Sequence, residues 1–353
     1  MKPATEIFEL IKKAGCRQIT FHYEPKTGLQ LVYVIDSFPE VRDKAGKLSK
    51  NLSVSGGTRF AHQDAESALA DAIKLARAMS RKARILDVNE GGCKAVVVAN
   101  QKKSTPFLNA IGDFIQLHKG LFKTAIDLGF NLKDAEHIAA KTYFVDSLSH
   151  VKKGLGSTGE NTAEGMMHGF DVIRKEILKK PVSECSVAIQ GLGAVGMPLA
   201  ERLVKRGCRV MGADLLKANG EKARKIGVKI VSPQKILFQK VDILSPCARG
   251  AAINRRIIPN LQCKVIAGGA NNLLENEFAD EKTLLRQGII FVPDFVLNSG
   301  GFLQALVERQ GGTVQEARQK AKIVGKRVQE IIEQAKKQEC TLLEAATFLF
   351  DRE

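Results

Sequence analysis

The chain has 353 residues and a formal net charge of +16, with 54 lysines and arginines against 38 aspartates and glutamates. This length favours two domains that each bury a core. No apolar run reaches the roughly 18 residues of a membrane span, and the first residues lack the apolar segment of a signal peptide, so we predict no membrane contact. The basic residues are interleaved with acids, and only three tyrosines and no tryptophan stand beside the phenylalanines for base stacking. We therefore interpret the charge as a solvated surface and predict no nucleic-acid partner.

Cysteine and histidine usage argues against several further chemistries. The seven cysteines are odd in number and scattered, and the six histidines show no metal-ligand spacing, so we predict no metal site. Scattered cysteines are typical of reduced thiols, which indicates a cytoplasmic protein. The sequence contains no G-x-S-x-G nucleophile elbow, so serine hydrolysis has no support.

The first part of the chain alternates between strand and helix patterns. The predicted elements are strands over residues 18–23 and 29–36 and helices over residues 64–79, 105–118 and 134–147. Residues 37–53 are polar and lysine-rich without a clear period, which predicts a loop or a short helix. The run GGTR at residues 56–59 is expected to form a turn.

A lysine stands in an unusual position within residues 89–99, NEGGCKAVVVA. Lys94 follows two glycines and precedes an apolar strand expected to begin at Ala95, whereas most lysines are solvated. Lys82 lies near the end of the preceding helix, and Asp127 stands between apolar residues just before a glycine. Burial and a neighbouring cation both disfavour the charged form of a lysine, which allows it to act as a base near neutral pH. The company of Lys82 and Asp127 therefore singles out Lys94 from the solvated lysines.

A glycine-rich stretch over residues 151–160 is a candidate hinge, and we place the domain boundary there. The predicted domains are residues 1–150, residues 151–325, and a C-terminal segment of helices over residues 326–353 that packs back on the first domain. Thr162 is expected to begin a helix that ends near residue 180, because Pro181 breaks it.

The strongest local signal lies in residues 186–214, where a buried strand, a glycine turn, a helix and a second strand follow one another. Gly191 permits a tight turn, Gly193 allows the backbone to approach a pyrophosphate, and Gly196 allows close packing of helix on strand. Asp214 ends the second strand, where a carboxylate accepts hydrogen bonds from ribose hydroxyls. No arginine follows it to bind a 2′-phosphate, which favours NAD over NADP. The predicted cofactor residues here are Gly191, Leu192, Gly193, Ala194, Val195, Gly196 and Asp214.

The strand and helix alternation continues to the end of the second domain. Further strands are predicted over residues 228–230, 241–244, 265–267 and 289–292, as a doubly wound parallel sheet requires. Asn271 and Asn272 close one strand at its carboxyl end, where such sheets bind ligands. A helix from Asn298 onward is expected to cross back.

Several motifs together resemble the Glu/Leu/Phe/Val amino-acid dehydrogenases, most closely the branch that acts on leucine, valine and phenylalanine. The resemblance extends from about residue 56 to near the C-terminus, and it rests on the order and spacing of the motifs. They lie at residues 56–59, 79–94, 124–129 (TAIDLG), 161–165 (NTAEG), the glycine turn, 246–248 (PCA), 270–272 (ANN) and 293–301.

The resemblance implies a fold and a reaction. The fold is α/β with two domains, an N-terminal mixed-sheet catalytic domain and a Rossmann-type doubly wound NAD-binding domain, with a cleft between them. The reaction is the reversible NAD-dependent oxidative deamination of an apolar L-amino acid to its 2-oxo acid and ammonia. A homodimer or a higher homo-oligomer is implied as well.

The resemblance also assigns roles to residues. Lys94 matches the catalytic lysine, Asp127 matches the acid that exchanges protons with the substrate nitrogen, and Lys82 matches the lysine that holds the substrate carboxylate. The other implied substrate residues are Gly57, Ser55, Ala125, Phe302 and Ala305. The other implied cofactor residues are Thr162, Ala248, Asn271 and Asn298. The glutamate-specific branch has a lysine at the position of Ser55, so its absence here predicts an apolar side chain.

Two departures from the family pattern keep alternatives open. Cys93 replaces a glycine or alanine and could crowd the cleft, and Glu160 brings a negative charge towards the expected nicotinamide end. They motivate the alternative of a catalytically impaired dinucleotide-binding regulatory protein, against which the retention of Lys82, Lys94 and Asp127 argues. A related enzyme acting on hydroxy acids would need a histidine base, and no histidine lies in the matched motifs.

Overall fold

The structure is a computed structural model that describes residues 4–42, 46–49, 52–146, 154–248 and 250–351. The chain divides into two compact units, Met1–Gly156 and Ser157–Glu353. This division falls within the predicted hinge over residues 151–160. None of the described helices is both long and apolar enough to cross a membrane.

The first unit is built on a mixed six-stranded sheet in the order β1-β2-β4-β3-β5-β6. Its strands are β1 (Gln18–Glu24), β2 (Leu29–Ile35), β3 (Val54–Phe60), β4 (Gly91–Val97), β5 (Phe122–Ile126) and β6 (Val145–Asp146). Its helices are α1 (Ala4–Ala14), α2 (Ala65–Ile85), α3 (Thr105–Leu117) and α4 (Leu132–Ala139). β2 is antiparallel to both β1 and β4, whereas β4, β3, β5 and β6 are parallel to one another.

Apolar side chains cover both faces of this sheet, because helices pack on each side. On one face α2 presents Ala68, Ala72 and Ala76, whose spacing of four residues forms a single stripe that packs against valines of β2 and β4. On the other face, α3 contributes Phe107 and Ile111 to a larger core. The cap of α2 agrees with the predicted start, since the Asp64 side chain accepts a hydrogen bond from the Ser67 amide.

Three predictions for this unit are wrong in detail. Residues 56–59 do not form a turn, because they lie inside β3, which is paired on both sides by β4 and β5. The helix expected over residues 134–147 begins at Leu132 and ends at Ala139, and Val145–Asp146 pairs with β5 instead. β4 begins at Gly91 and not at Ala95.

The polar passage over residues 37–53 contains no helix within its described residues. They include an isolated bridge between Arg42 and Leu48. Residues 43–45 and 50–51 of this passage lie outside the described residues.

The second unit is a parallel six-stranded sheet in the order β12-β11-β10-β7-β8-β9, as the doubly wound prediction requires. Its strands are β7 (Ser186–Gln190), β8 (Arg209–Ala213), β9 (Lys229–Ile230), β10 (Val241–Pro246), β11 (Cys263–Ile266) and β12 (Ile290–Phe291). Its helices are α5 (Gly159–Ile173), α6 (Gly196–Lys205), α7 (Lys217–Lys225), α8 (Glu277–Arg286), α9 (Asp294–Leu297), α10 (Gly300–Arg309), α11 (Val314–Lys320), α12 (Lys322–Gln338) and α13 (Leu342–Phe350). A π-helical turn, Arg174–Leu178, extends α5 as far as the residues before Pro181.

The C-terminal helices are part of the second unit. We expected residues 326–353 to form a separate segment, but α12 packs closely on α5 of the second unit. A β-carbon at Gly165 of α5 would lie 2.8 Å from the Val324 side chain, so the missing side chain is what lets the two helices approach. The expected packing of this segment on the first domain stays a prediction.

Candidate active site

The register of β4, β3 and β5 brings the candidate catalytic residues to one face of the first sheet. Gly57 is paired with Ala125, and Thr58 with Ala95, so Lys94 lies beside Gly57 across the strand pair. Side chains alternate along a strand, so residues at every second position share a face. The face with Lys94 carries Ser55, Gly57, Arg59, Lys94, Ala125 and Asp127.

Lys94 and Asp127 form a close ion pair on this face. The Lys94 Nζ lies 2.6 Å from the Asp127 Oδ2, and Lys94 is only 5% exposed. A β-carbon at Gly57 would lie 2.6 Å from the same Nζ. Gly57 is therefore required for the ammonium group to reach its position over the strand.

Arg59 is a site residue that the sequence reasoning did not assign. Its Nε and Nη2 both lie 3.0 Å from the Asp127 Oδ2, and its Nη1 lies 2.9 Å from the Oδ2 of Asp71 on α2. Although burial alone would raise it, Lys94 and Arg59 hold the pKa of the Asp127 carboxyl well below its usual range. This arrangement favours Asp127 as an ionised partner of two cations. In a strand, side chains two positions apart lie on the same face, so Arg59 faces the same side as Gly57. Had GGTR been interpreted as a strand, this alternation would have identified Arg59 from the sequence.

Lys82 lies near the end of α2, the helix that packs over β4. It is buried, and a β-carbon at Gly92 would overlap Ser80 of the same helix. Gly92 therefore allows α2 to lie directly on the strand that carries Lys94. The structure thus buries the second lysine on an element in contact with β4, and its contact with a substrate carboxylate stays a prediction.

The Cys93 side chain does not crowd the face of Lys94, contrary to the expectation from the sequence. Cys93 is fully buried and belongs to the core on the opposite face, together with Tyr33 and Ala95. Adjacent residues of a strand point to opposite faces, which separates Cys93 from Lys94.

Ser55 has an acidic neighbour that the sequence reasoning missed. Its hydroxyl donates a hydrogen bond to Oε2 of Glu90, and the Ser53 hydroxyl donates to Oε1 of the same carboxylate at 2.9 Å. Glu90 immediately precedes the glycines of β4, but its link to Ser55 spans 35 residues of sequence. The position at which the glutamate-specific branch carries a lysine is therefore next to a carboxylate here.

The glycine turn of the second unit has the geometry that the sequence predicts for a pyrophosphate site. Gly191 has a φ of +90°, which side chains rarely tolerate, and a β-carbon at Gly196 would overlap the Gly191 carbonyl oxygen. At Gly193 a β-carbon would meet no atom within 4 Å. The turn therefore leaves open space above the backbone at the start of α6, where the helix offers its amides.

Asp214 lies at the end of β8, beside this turn. Its Oδ2 accepts a hydrogen bond of 2.7 Å from the Leu192 amide, and its Oδ1 accepts one of 2.8 Å from the Leu216 amide. Both bonds fix the carboxylate next to the glycine turn. Ala248 lies on the other side, within 3 Å of where a Gly191 β-carbon would be.

Asn298 provides a buried polar group suited to an amide ligand. Its Nδ2 donates to the Asn271 Oδ1 at 3.0 Å, which brings two predicted cofactor residues together. Within the described part of the chain its Oδ1 is buried and has no hydrogen-bond partner. Thr162 on α5 donates its hydroxyl proton to the Thr158 carbonyl oxygen at 2.9 Å. An unpaired buried oxygen is costly, so a donor such as a carboxamide would fit there.

Glu160 is neutralised by a neighbour on the glycine-turn helix, which corrects its expected effect. Its Oε2 lies 2.8 Å from Nη2 of Arg202 on α6, and its side chain is 47% exposed. Arg202 also contacts Glu164 at 3.1 Å. A half-exposed, paired carboxylate projects little net charge towards a neighbouring ligand.

Phe302 and Ala305 are buried one turn apart on α10 of the second unit. Their place in one pocket with Ser55 and Ala125 of the first unit stays a prediction. Among the described residues, no group of three or more histidines, cysteines, aspartates or glutamates could hold a metal ion.

Known proteins are similar to this chain over most of its length. The family model for glutamate, leucine, phenylalanine and valine dehydrogenases matches residues 214–350. The chain is 31% identical to the phenylalanine dehydrogenase of Lysinibacillus sphaericus over 351 residues, 97% of this chain and 88% of that protein. It is 30% identical to the leucine dehydrogenase of Thermoactinomyces intermedius, over 94% of this chain and 89% of that protein.

Solved structures agree with these similarities. The crystal structure of L-tryptophan dehydrogenase from Nostoc punctiforme superimposes with a TM-score of 0.77 at 30% identity, over 98% of this chain and 97% of that chain. The hetero-hexameric glutamate dehydrogenase of Thermus thermophilus gives a TM-score of 0.74 at 18% identity, over 99% and 95% of the two chains. The second likeness concerns the fold alone.

Proposed function

The chain belongs to the glutamate/leucine/phenylalanine/valine dehydrogenase family, whose members are oxidoreductases that act on CH–NH2 donors, and on that premise we propose that it deaminates an apolar L-amino acid with NAD. The products are the 2-oxo acid, ammonia and NADH, and the reaction is reversible. The observation that carries the proposal is the close ion pair of the buried Lys94 with the partly exposed Asp127, held beside Gly57 on one face of the sheet.

Each step of the proposed reaction has a residue for it. Lys82 binds the substrate carboxylate and thereby orients the α-carbon. The glycine turn would hold the pyrophosphate of NAD, and the bound cofactor would supply the acceptor for the α-hydride. Lys94 then takes a proton from the water that attacks the imine carbon, and ammonia leaves as the carbonyl forms. Asp127 compensates the charge of Lys94 and exchanges protons with the departing nitrogen. Lys94 must pass on its proton before it can act as a base.

The preference for NAD over NADP rests on Asp214. Its carboxylate is fixed by the amides of Leu192 and Leu216, beside the turn that is proposed to hold the pyrophosphate. A fixed negative charge accepts hydrogen bonds from ribose hydroxyls and repels a 2′-phosphate. The nearest cation in sequence is Lys217, which begins α7.

The choice of an apolar substrate rests on the surroundings of Ser55. A glutamate side chain would bring its carboxylate towards Ser55, where the glutamate-specific branch has a lysine and this chain has a hydroxyl bonded to Glu90. Burying an unpaired carboxylate costs several kcal/mol, whereas each buried methylene of an apolar side chain contributes about 0.8 kcal/mol. Ala125 is paired with Gly57 and lies on the same face of the sheet as Ser55, so its small side chain leaves room for an apolar substrate side chain there. Leucine, valine, phenylalanine and tryptophan are the candidates.

The test is the rate of NADH formation with a panel of L-amino acids, compared as kcat/KM for the wild-type protein and for Lys94→Ala. We expect the highest kcat/KM for an apolar amino acid and a loss of several orders of magnitude in turnover for Lys94→Ala, with NAD binding near normal. A higher kcat/KM for glutamate than for every apolar amino acid would overturn the assignment of the pocket. Near-wild-type turnover of Lys94→Ala would overturn the assignment of the base.

Two departures from the family pattern motivated the alternative of an impaired regulatory protein, and neither of them now supports it. Cys93 faces the core and Glu160 is paired with Arg202. We also propose a homo-oligomer that works in the cytoplasm, on the basis of the oligomeric glutamate dehydrogenase of similar fold and the scattered cysteines.

A further inference from the structure

Asp127 has two cationic partners, although the proposed reaction uses only one of them. Lys94 and both contacting nitrogens of Arg59 approach the same oxygen, Oδ2, at distances of 2.6 to 3.0 Å. No described side chain donates a hydrogen bond to Oδ1. Both cations thus approach one carboxylate oxygen, and the Leu128 amide also donates a hydrogen bond to this carboxylate.

Arg59 is itself anchored on its outer side. Its Nη1 contacts Oδ2 of Asp71 at 2.9 Å, and its side chain is largely buried. Asp71 contacts the guanidinium from α2, while Asp127 contacts it from the position just after β5. A guanidinium with its planar donors divided between two carboxylates has one preferred orientation, so Arg59 is fixed in place.

The charges of this cluster balance while Lys94 is protonated, and when Lys94 loses its proton Arg59 is the cation that still contacts Asp127. Asp127 and Asp71 carry two negative charges, and Lys94 and Arg59 carry two positive ones. If Lys94 were the only cationic partner of Asp127, loss of its proton would leave a partly buried carboxylate without a counterion, which is unfavourable. An arginine cannot lose its proton in a protein and therefore remains a counterion throughout a reaction cycle.

We propose that Arg59 is a positioning residue that acts as the permanent counterion of Asp127, so that Lys94 can release its proton to a substrate group without leaving that carboxylate unpaired. This inference rests on the proposed role of Lys94 as the base. Arg59 touches neither hydride nor water in this scheme, and it acts only through Asp127. Its positive charge also repels the ammonium form of Lys94, because both groups contact one oxygen and are at most about 6 Å apart.

Other charged groups surround the pair and are common to all variants. Asp71 contacts Arg59 from α2, and Lys82 lies near the end of the same helix. Lys123 lies on β5, which ends just before Asp127, and His62 lies on the loop after β3. Within the described residues the His62 ring bonds only Asp71, at 3.1 Å, so it lies on the outer side of Arg59.

The test compares Arg59→Met, which removes the charge, with Arg59→Lys, which keeps it. Arg59→Gln serves as a second neutral variant if the methionine variant does not fold. The matched control is Arg77→Met on α2, since Arg77 contacts Asp36 and the Ala14 carbonyl oxygen and lies outside the cluster. Thermal unfolding shows that each variant is folded.

The first measurement is the pH dependence of kcat/KM for the best apolar substrate. Arg59→Met removes a unit charge about 6 Å from the Lys94 ammonium in a partly screened site. The acid limb of its kcat/KM profile should therefore move by about one pH unit to higher pH, so that kcat/KM near neutrality falls roughly tenfold. The rate should recover at high pH. Arg59→Lys should show a smaller shift, and Arg77→Met none.

The second measurement follows Lys94 directly and requires no turnover. In protein labelled with 13C at lysine Cε, the Lys94 resonance is identified by its absence in Lys94→Arg. Its titration midpoint should move to higher pH in Arg59→Met, and less in Arg59→Lys. An unchanged midpoint, or a rate that falls equally at every pH, would overturn the proposal and leave Arg59 with a structural role. Wild-type protein that is inactive on every amino acid would contradict the proposed function, while the titration would still decide the role of Arg59.

Discussion

The substitution Gly57→Ala is a sharp test of the Lys94–Asp127 pair, because it adds one methyl group at its centre. The new β-carbon would lie 2.6 Å from the Lys94 Nζ and 3.2 Å from the Asp127 β-carbon. Ordinary contacts of this kind are 3.4–4 Å. The ammonium group must therefore move by about 1 Å, whereas the backbone around it can stay in place.

The expected effect falls on catalysis and much less on stability. A misplacement of about 1 Å at a catalytic group costs roughly 100-fold in rate, so kcat/KM should fall by about that factor. The group displaced is the end of a flexible side chain, so the free energy of unfolding should change by no more than about 2 kcal/mol. The neighbouring glycine behaves differently, since a β-carbon at Gly56 would overlap the Cys93 carbonyl group in the middle of the sheet. Overpacking against backbone costs about 1–3 kcal/mol or more.

The assay combines initial rates of NADH formation with thermal unfolding of three variants. Gly57→Ala should lose activity and keep its melting temperature within a few degrees, whereas Gly56→Ala should lower the melting temperature markedly. Gly220→Ala on α7 is the matched control, because its β-carbon would make an ordinary contact of 3.7 Å with Ile230. If Gly57→Ala kept kcat/KM within about threefold of wild type, the position of Lys94 beside Asp127 would have no part in catalysis.

Three further substitutions test separate parts of the molecule. Asp214→Ser should lower the ratio of kcat/KM with NAD to kcat/KM with NADP, because it removes both the repulsion of a 2′-phosphate and the ribose hydrogen bonds. Equal use of both cofactors by the wild-type protein would contradict the proposed position of Asp214. Glu160→Gln should change kcat/KM by less than about threefold, since Arg202 already pairs the half-exposed carboxylate, and a large gain would show that its charge reaches the reaction. Burial raises the pKa of Glu281 to about 7, so the folded protein holds this proton more tightly than the unfolded chain. The stability that it contributes is present in acid and is lost as the pH rises from about 4.5 to about 7. Glu281→Gln should therefore flatten the dependence of the melting temperature on pH in that window, and an unchanged slope would refute the assignment.

Local patterns were enough to predict the nucleotide half of the protein. The strand, glycines, helix and acid of residues 186–214 are contiguous, so their geometry is fixed by backbone preferences within one βαβ unit. The open space at Gly193 and the position of Asp214 agree with that prediction. The alternation of strands and helices likewise predicted a parallel second sheet.

The first domain shows where local patterns fail. GGTR has the composition of a turn, but pairing with β4 and β5 on both sides makes it a strand. The same holds for β6, which is a strand because Val145 and Asp146 pair with Thr124 and Ala125 of β5. A local pattern does not reveal this pairing, because the partners are separated in the sequence. In such segments the cross-strand partners outweigh intrinsic preference.

The sequence by itself determined which residues are chemically unusual, namely a buried lysine, an isolated aspartate and a glycine turn. Only the tertiary structure decided which of them meet. Register alone places Lys94 beside Gly57, and it turns Cys93 to the opposite face. The bond of Arg59 to Asp127 spans 68 residues, and that of Glu160 to Arg202 spans 42. Charges so far apart in sequence acquire their partners only when the strands and helices pack, because electrostatic compensation depends on distance in space and not on spacing along the chain.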